Sequence, residues 1–129
     1  MEASVRESAL VLAVDPGSEH VGFSLGFGDE VVRHGIKNPY EFVLWFVDWA
    51  PDRIVIERFD IRQYTNDSLG TIKLIGYLEW HSRVHEVPVA YVNASDKKKF
   101  IAQVLRSGIS SHAADAEAIR LWDLKYGKW

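Results

Sequence analysis

The chain has 129 residues, 47% hydrophobic and 26% charged, enough for one compact domain with a buried core and too little for a second. With 15 basic and 18 acidic residues the formal charge is -3, so binding of a polyanion would need a local basic patch rather than overall charge. Zero cysteines exclude disulfides and thiolate-held zinc, and apolar runs such as 42–47 are far too short to span a membrane.

Residues 1–8 are charged and lack the hydrophobic stretch of a signal peptide, so the expectation is a flexible tail before a single domain over 9–129, in a cytoplasmic protein. The β-branched run ending at Asp15 predicts a buried strand over 10–15. Asp15-Pro16-Gly17 then turns the chain into a second strand over 21–27, and Gly28-Asp29 into a third over 30–36. Asn38 followed by Pro39 reads as a helix cap and first helical residue, with the helix running through 40–49 and stopped by Pro51. A fourth strand over 53–57 ends on Glu57, and after a polar loop a long helix is predicted over 67–84. Residues 88–92 give a fifth strand. Ser95 or Asp96 is expected to cap a helix to Arg106, Gly108 breaks it, and Ser110 or Ser111 caps a last helix to Lys125. The order β-β-β-α-β-α-β-α predicts an α/β fold with a five-stranded mixed sheet flanked by helices.

Asp15 and Glu57 each end a strand that reads as buried, and Asp115 opens the last helix. If the first and fourth strands are parallel neighbours about 4.8 Å apart, their carboxylates meet at the carboxyl edge of the sheet, where open α/β folds place their sites. Side by side they repel by roughly 3 kcal/mol at an effective dielectric of ~20. A hard divalent cation such as magnesium or manganese would offset that repulsion. His112 stands three residues before Asp115, on the same helix face. Taken singly each residue has an ordinary explanation as a turn former, a strand exit or a helix-terminal carboxylate. Their mutually consistent placement favours a site.

The motifs Val-Leu-Ala-Val-Asp-Pro-Gly at 11–17 with Gly22 following, Ile-Val-Ile-Glu-Arg-Phe at 54–59 and His-Ala-Ala-Asp-Ala-Glu-Ala at 112–118 resemble those of the RuvC Holliday-junction resolvases, in the ribonuclease H-like superfamily. The resemblance spans nearly the whole domain in the right order, although the chain is shorter than cellular members between the fifth strand and the last helix, as a compact viral member would be. It implies a ribonuclease H-like fold and magnesium-dependent phosphodiester hydrolysis with two metal ions, manganese able to substitute. It maps the acidic ligands onto Asp15, Glu57 and Asp115, and a fourth, Asp or His in the family, onto His112. It also implies paired symmetric nicking of branched DNA by a homodimer formed through the helix over 67–84, and a functional lysine matching Lys97 or Lys98.

Lys97, Lys98 and Lys99 are candidate phosphate contacts, with Arg58, Arg62, Lys73 and Arg106 extending a basic track, although a lysine run is more often a solvated face. Phe59 and Tyr64, in the loop after Glu57, are candidates for stacking on an unpaired base, set against simple loop packing. Trp45 and Trp49, at i and i+4, are expected in the core. Gly70 and Gly76 inside the long helix imply close approach by another backbone, the chain's own sheet or a second subunit. Three classes of function stand beside one another: a junction resolvase or a broader branched-DNA or hybrid nuclease, a nucleotide binder of the actin or sugar-kinase type, for which the chain is too short, and a non-catalytic junction-binding module.

Overall fold

The computed structural model describes residues 3–17, 19–59, 66–109 and 111–129, the side chains of 3–5, 66–68, 111 and 112 excepted. Five strands, β1 (Leu10–Asp15), β2 (Val21–Phe27), β3 (Glu30–Lys37), β4 (Arg53–Glu57) and β5 (Val89–Val92), form one sheet in the order β3-β2-β1-β4-β5. The meander β1-β2-β3 is antiparallel, whereas β4 and β5 join as parallel strands through helical crossovers. The predicted mixed sheet is thus observed, with β1 and β4 at its centre.

Both central strands are buried on both faces, and alternation along each strand sends successive side chains to opposite layers. Leu12, Val14, Ile54 and Ile56 pack with Phe42 and Phe46 of α2 (Pro39–Trp49) and with Leu74 and Leu78 of α3 (Asn66–His85). Val11, Ala13 and Val55 point the other way, onto Ala116 and Ile119 of α5 (Ser111–Tyr126). Helix α4 (Ala94–Arg106) covers α5 through Val104, Ala114 and Ala118. Trp45 and Trp49 are partly buried against the first layer, Trp45 with its ring 4.4 Å from Phe23, as expected.

Local chemistry accounts for the element boundaries. Asn38 caps α2, its side chain accepting a hydrogen bond from the Glu41 N–H at 2.9 Å, and Pro39 occupies the first turn. Gly108, at φ +89°, ends the α4 segment in a conformation that favours glycine. Two expectations change. The cap position of α4 falls on Asn93 rather than Ser95 or Asp96, and its side chain makes no capping bond. Residues assigned to a tail include a short helix, α1 (Ala3–Ser8), whose Arg6 donates to the Leu124 carbonyl at 3.3 Å.

Buried ion pairs tie the last helix to the sheet. Arg53 makes a bidentate contact with Asp123, both bonds 2.8 Å, and Trp129 lies over its guanidinium at 4.4 Å. Glu117 accepts from Ser24 on β2 and from Arg120, which also reaches the Gly28 carbonyl. Both networks fix the rotation of α5 and hence the direction in which Asp115 points.

Candidate active site

The register that pairs Val14 of β1 with Ile56 of β4 places the next residues, Asp15 and Glu57, abreast at the carboxyl ends of the two central strands. By alternation both follow Ala13 and Val55 onto the α5 side of the sheet. The turn after Asp15 needs Gly17, because a Cβ there would collide with the His20 carbonyl. Asp115, on α5, approaches the same edge.

Lys97, in the first turn of α4, joins these groups. Its Nζ donates to Glu57 Oε1 at 2.7 Å and lies 3.6 Å from Asp115 Oδ2. Asp15 and Glu57 are themselves hydrogen-bonded, so one carboxyl carries the proton. Burial, the hydrogen bond with Glu57 and that residue's charge push Asp15 up to about 8, against a smaller opposing pull from Lys97. Burial also works to raise Glu57, but the bonds from Asp15 and Lys97 outweigh it and hold Glu57 below the ordinary glutamate value. For Lys97, burial disfavours the ammonium, yet the bond to Glu57 and the charges of Glu57, Asp15 and Asp115 raise it above the usual lysine value. The expected repulsion between the strand-end carboxylates is therefore relieved by a shared proton and an ammonium.

This chemistry bears on a divalent cation. Two touching carboxyls and a third across an ammonium form a set of hard oxygen donors in a place that already recruits positive charge, which suits magnesium or manganese. Among the described residues, no three His, Asp or Glu side chains stand together as a ready-made metal cage. The Lys97 ammonium bridges Glu57 and Asp115, so the donor set fits a hard cation once that ammonium turns aside.

Of the other candidates, the structure separates the lysines. Lys97 enters the carboxylate cluster, whereas Lys98 and Lys99 are exposed and Lys99 lies over the Tyr126 ring at 5.4 Å. Arg58 and Phe59 leave β4 immediately beyond Glu57 and line a cavity on the α3 side. Lys73 on α3 and Arg106 on α4 belong to opposite helical layers and do not form one track. Arg62 and Tyr64 lie outside the described residues, as does the side chain of His112, whose backbone starts α5 one turn before Asp115. Glu79 and Tyr91, paired beside Arg58, were not singled out in the sequence; the alternation of β5, which turns Tyr91 away from Val92, was the available signal.

No family profile matches the chain, and no curated protein matches it. Solved structures do. Thermus thermophilus RuvC in complex with a Holliday junction substrate superposes with a TM-score of 0.69 at 17% identity, over 88% of this chain and 91% of that one. A second T. thermophilus RuvC structure gives 0.67 at 18% identity, over 88% and 92%. The fowlpox virus Holliday junction resolvase gives 0.62 at 12% identity, over 92% and 97%. The chain has the ribonuclease H-like fold of the RuvC and fowlpox resolvases, with its carboxylates at the carboxyl edge of the two central strands.

Proposed function

We infer that the chain is a metal-dependent, structure-selective DNA endonuclease that resolves four-way junctions by paired symmetric nicks. The observation that carries this reading is the convergence of Asp15, Glu57 and Asp115 on Lys97 at the carboxyl edge of a resolvase-like fold. Bound magnesium, or manganese in its place, supplies Lewis-acid polarisation of the phosphate and an activated water. Asp15, Glu57 and Asp115 would hold two such ions, with His112 a further ligand or proton-transfer group. Lys97, charged and beside the carboxylates, is suited to holding a phosphate oxygen of the DNA once the ions neutralise its present partners.

Paired nicking needs two copies. Gly76, Trp80 and Val84 share the outward side of α3, and among the described residues beyond the adjoining turns of the helix a Cβ at Gly76 would meet nothing within 4 Å, so the chain's own sheet does not explain that glycine. On α2, Tyr40 and Leu44 are 85% and 77% exposed. This apolar strip is suited to an isologous contact in which Trp80 of one copy fills the space above Gly76 of the other.

The test is magnesium-dependent cleavage of a labelled four-way junction, set against a flap, a fork, an RNA-DNA hybrid and linear duplex, with Asp15→Asn as control. Symmetric nicks confined to the junction support the reading. Comparable cutting of several substrates makes the protein a broader branched-DNA or hybrid nuclease, and tight junction binding without cleavage makes it a binding module.

A further inference from the structure

Helix α3 ends at the opposite edge of the sheet from the carboxylates. The chain leaves it through Pro88, whose carbonyl accepts from the Ile54 N–H at 3.0 Å, and β5 then begins at Val89 beside Ile54, three residues or about 10 Å of strand short of Glu57. The helix end is tightly closed. Glu86 takes the left-handed conformation, φ 55°, the Val87 N–H returns to the Ser82 carbonyl at 3.0 Å, and the Ser82 hydroxyl donates to the Val87 carbonyl.

The last two turns carry His81 and His85, four residues apart and so on one helical face. Helical side chains lean toward the N-terminus, which brings the exposed His85 back onto His81, with ring centroids 4.3 Å apart and planes at 40°. His81 is 6% exposed, and its ring meets Phe46 of α2 edge-on at 4.8 Å, which fixes its orientation. Packing on Phe46 accounts for His81 but not for the second imidazole brought onto it. Burial, and then the charge of His85, hold His81 below the ordinary histidine value, so at neutral pH its ring is neutral and carries a lone pair.

The ring spacing is close to what a shared ion requires. An imidazole nitrogen binds zinc at about 2.0–2.1 Å, so two rings on one ion have centroids about 4.5 Å apart at a right angle and about 5.2 Å apart at the tetrahedral angle. A small opening of the pair therefore suffices. Imidazole suits zinc, nickel and copper, whereas magnesium takes oxygen ligands, and the negative end of the helix dipole favours a cation at this position. We propose that His81 and His85 hold one divalent transition-metal ion of this imidazole-seeking class, with water in the remaining positions, and that the ion fastens the last turn of α3. The site is separate from the carboxylate cluster and independent of the nuclease reading.

The experiment titrates zinc, nickel and copper chlorides separately into the whole chain with magnesium in excess. Imidazole NMR signals and calorimetry are followed for wild type, His85→Ala and Asp15→Asn. The expected result is that one ion per chain shifts or broadens the His81 and His85 signals together, and that Asp15→Asn leaves this response intact. His85→Ala is expected to weaken binding by at least the roughly tenfold that loss of a partner supporting a metal ligand costs. Amide exchange in the last turn of α3 should slow about a hundredfold at free zinc a hundred times the dissociation constant, because only the closed helix binds, and chelator should reverse it. His85 is exposed, so its replacement leaves the core intact, and circular dichroism checks the fold. Signals of both histidines unmoved by all three ions, equal affinity in His85→Ala, or binding that disappears with Asp15→Asn instead overturns the site. Junction cleavage enters none of these outcomes, so the two readings fail separately.

Discussion

Lys97 Nζ sits 2.7 Å from Glu57 Oε1, joining the first turn of α4 to the end of β4 across 40 residues of sequence. The same ammonium is 3.6 Å from Asp115, so one cation serves carboxylates from two different elements. Replacing Lys97 with methionine keeps the aliphatic stem and removes the charge, leaving half-buried carboxylates to face each other. The variant is expected to lose about 1–3 kcal/mol of stability in chelator, and magnesium is expected to restore part of the loss. Urea unfolding with and without magnesium measures both.

Asp15→Asn removes the acidic group that touches Glu57. Junction cleavage is expected to fall about 10³-fold, the equivalent of roughly 4 kcal/mol in the barrier, while junction binding persists. Single-turnover cleavage alongside fluorescence anisotropy separates the two effects. Cleavage at the wild-type rate would remove Asp15 from the reaction.

The shared proton gives stability a pH dependence of known sign. Asp15 titrates near 3.8 when unfolded and at about 8 when folded, so between these values the native state holds the extra proton. Its contribution is complete below pH 3.8 and is lost as pH rises through 8. Glu57, lowered from 4.5, acts in the opposite direction only at acid pH and has finished by about pH 5. In chelator the melting temperature is therefore expected to fall from pH 5 to pH 8, and Asp15→Asn is expected to flatten that fall.

Gly76→Glu places a charge on the outward side of α3, where no described residue beyond the adjoining turns of the helix lies within 4 Å of the added Cβ. Its fold should be unaffected apart from the helix preference of glycine, which glutamate improves by up to about 1 kcal/mol. A dimer formed through this face becomes a monomer in sedimentation, and Trp80→Ala weakens it in the same direction. Unchanged sedimentation of both variants would place any dimer contact elsewhere.

Arg53 and Asp123 are almost fully buried and bonded twice. Removing one partner strands the other charge, so Asp123→Ala is expected to cost about 3–5 kcal/mol. Because that pair also fixes α5, cleavage by the folded fraction should fall as well, read at a temperature below the variant's midpoint.

The strands, the helices and the motif positions were legible in the sequence because short-range chemistry sets them: β-branched runs for β1 and β4, Asn38-Pro39 for the start of α2, Gly108 for the break between α4 and α5. The three acidic residues could be placed at one edge for the same reason, since strand ends and crossover connections leave few alternatives. Which lysine of 97–99 enters the cluster could not be read, because it depends on the rotation of α4 against α5, set by Val104, Ala114 and Ala118 in their shared core. The pairing of Glu79 with Tyr91 was hidden for a related cause, as the two are brought together by α3 packing across the sheet. The sequence alone determined the order of elements and the carboxylates at their ends, through backbone preference and hydrophobic period. Tertiary structure alone decided how charge is shared among Asp15, Glu57, Asp115 and Lys97, because proton position and ion pairing follow distance and burial, which exist only after the layers pack.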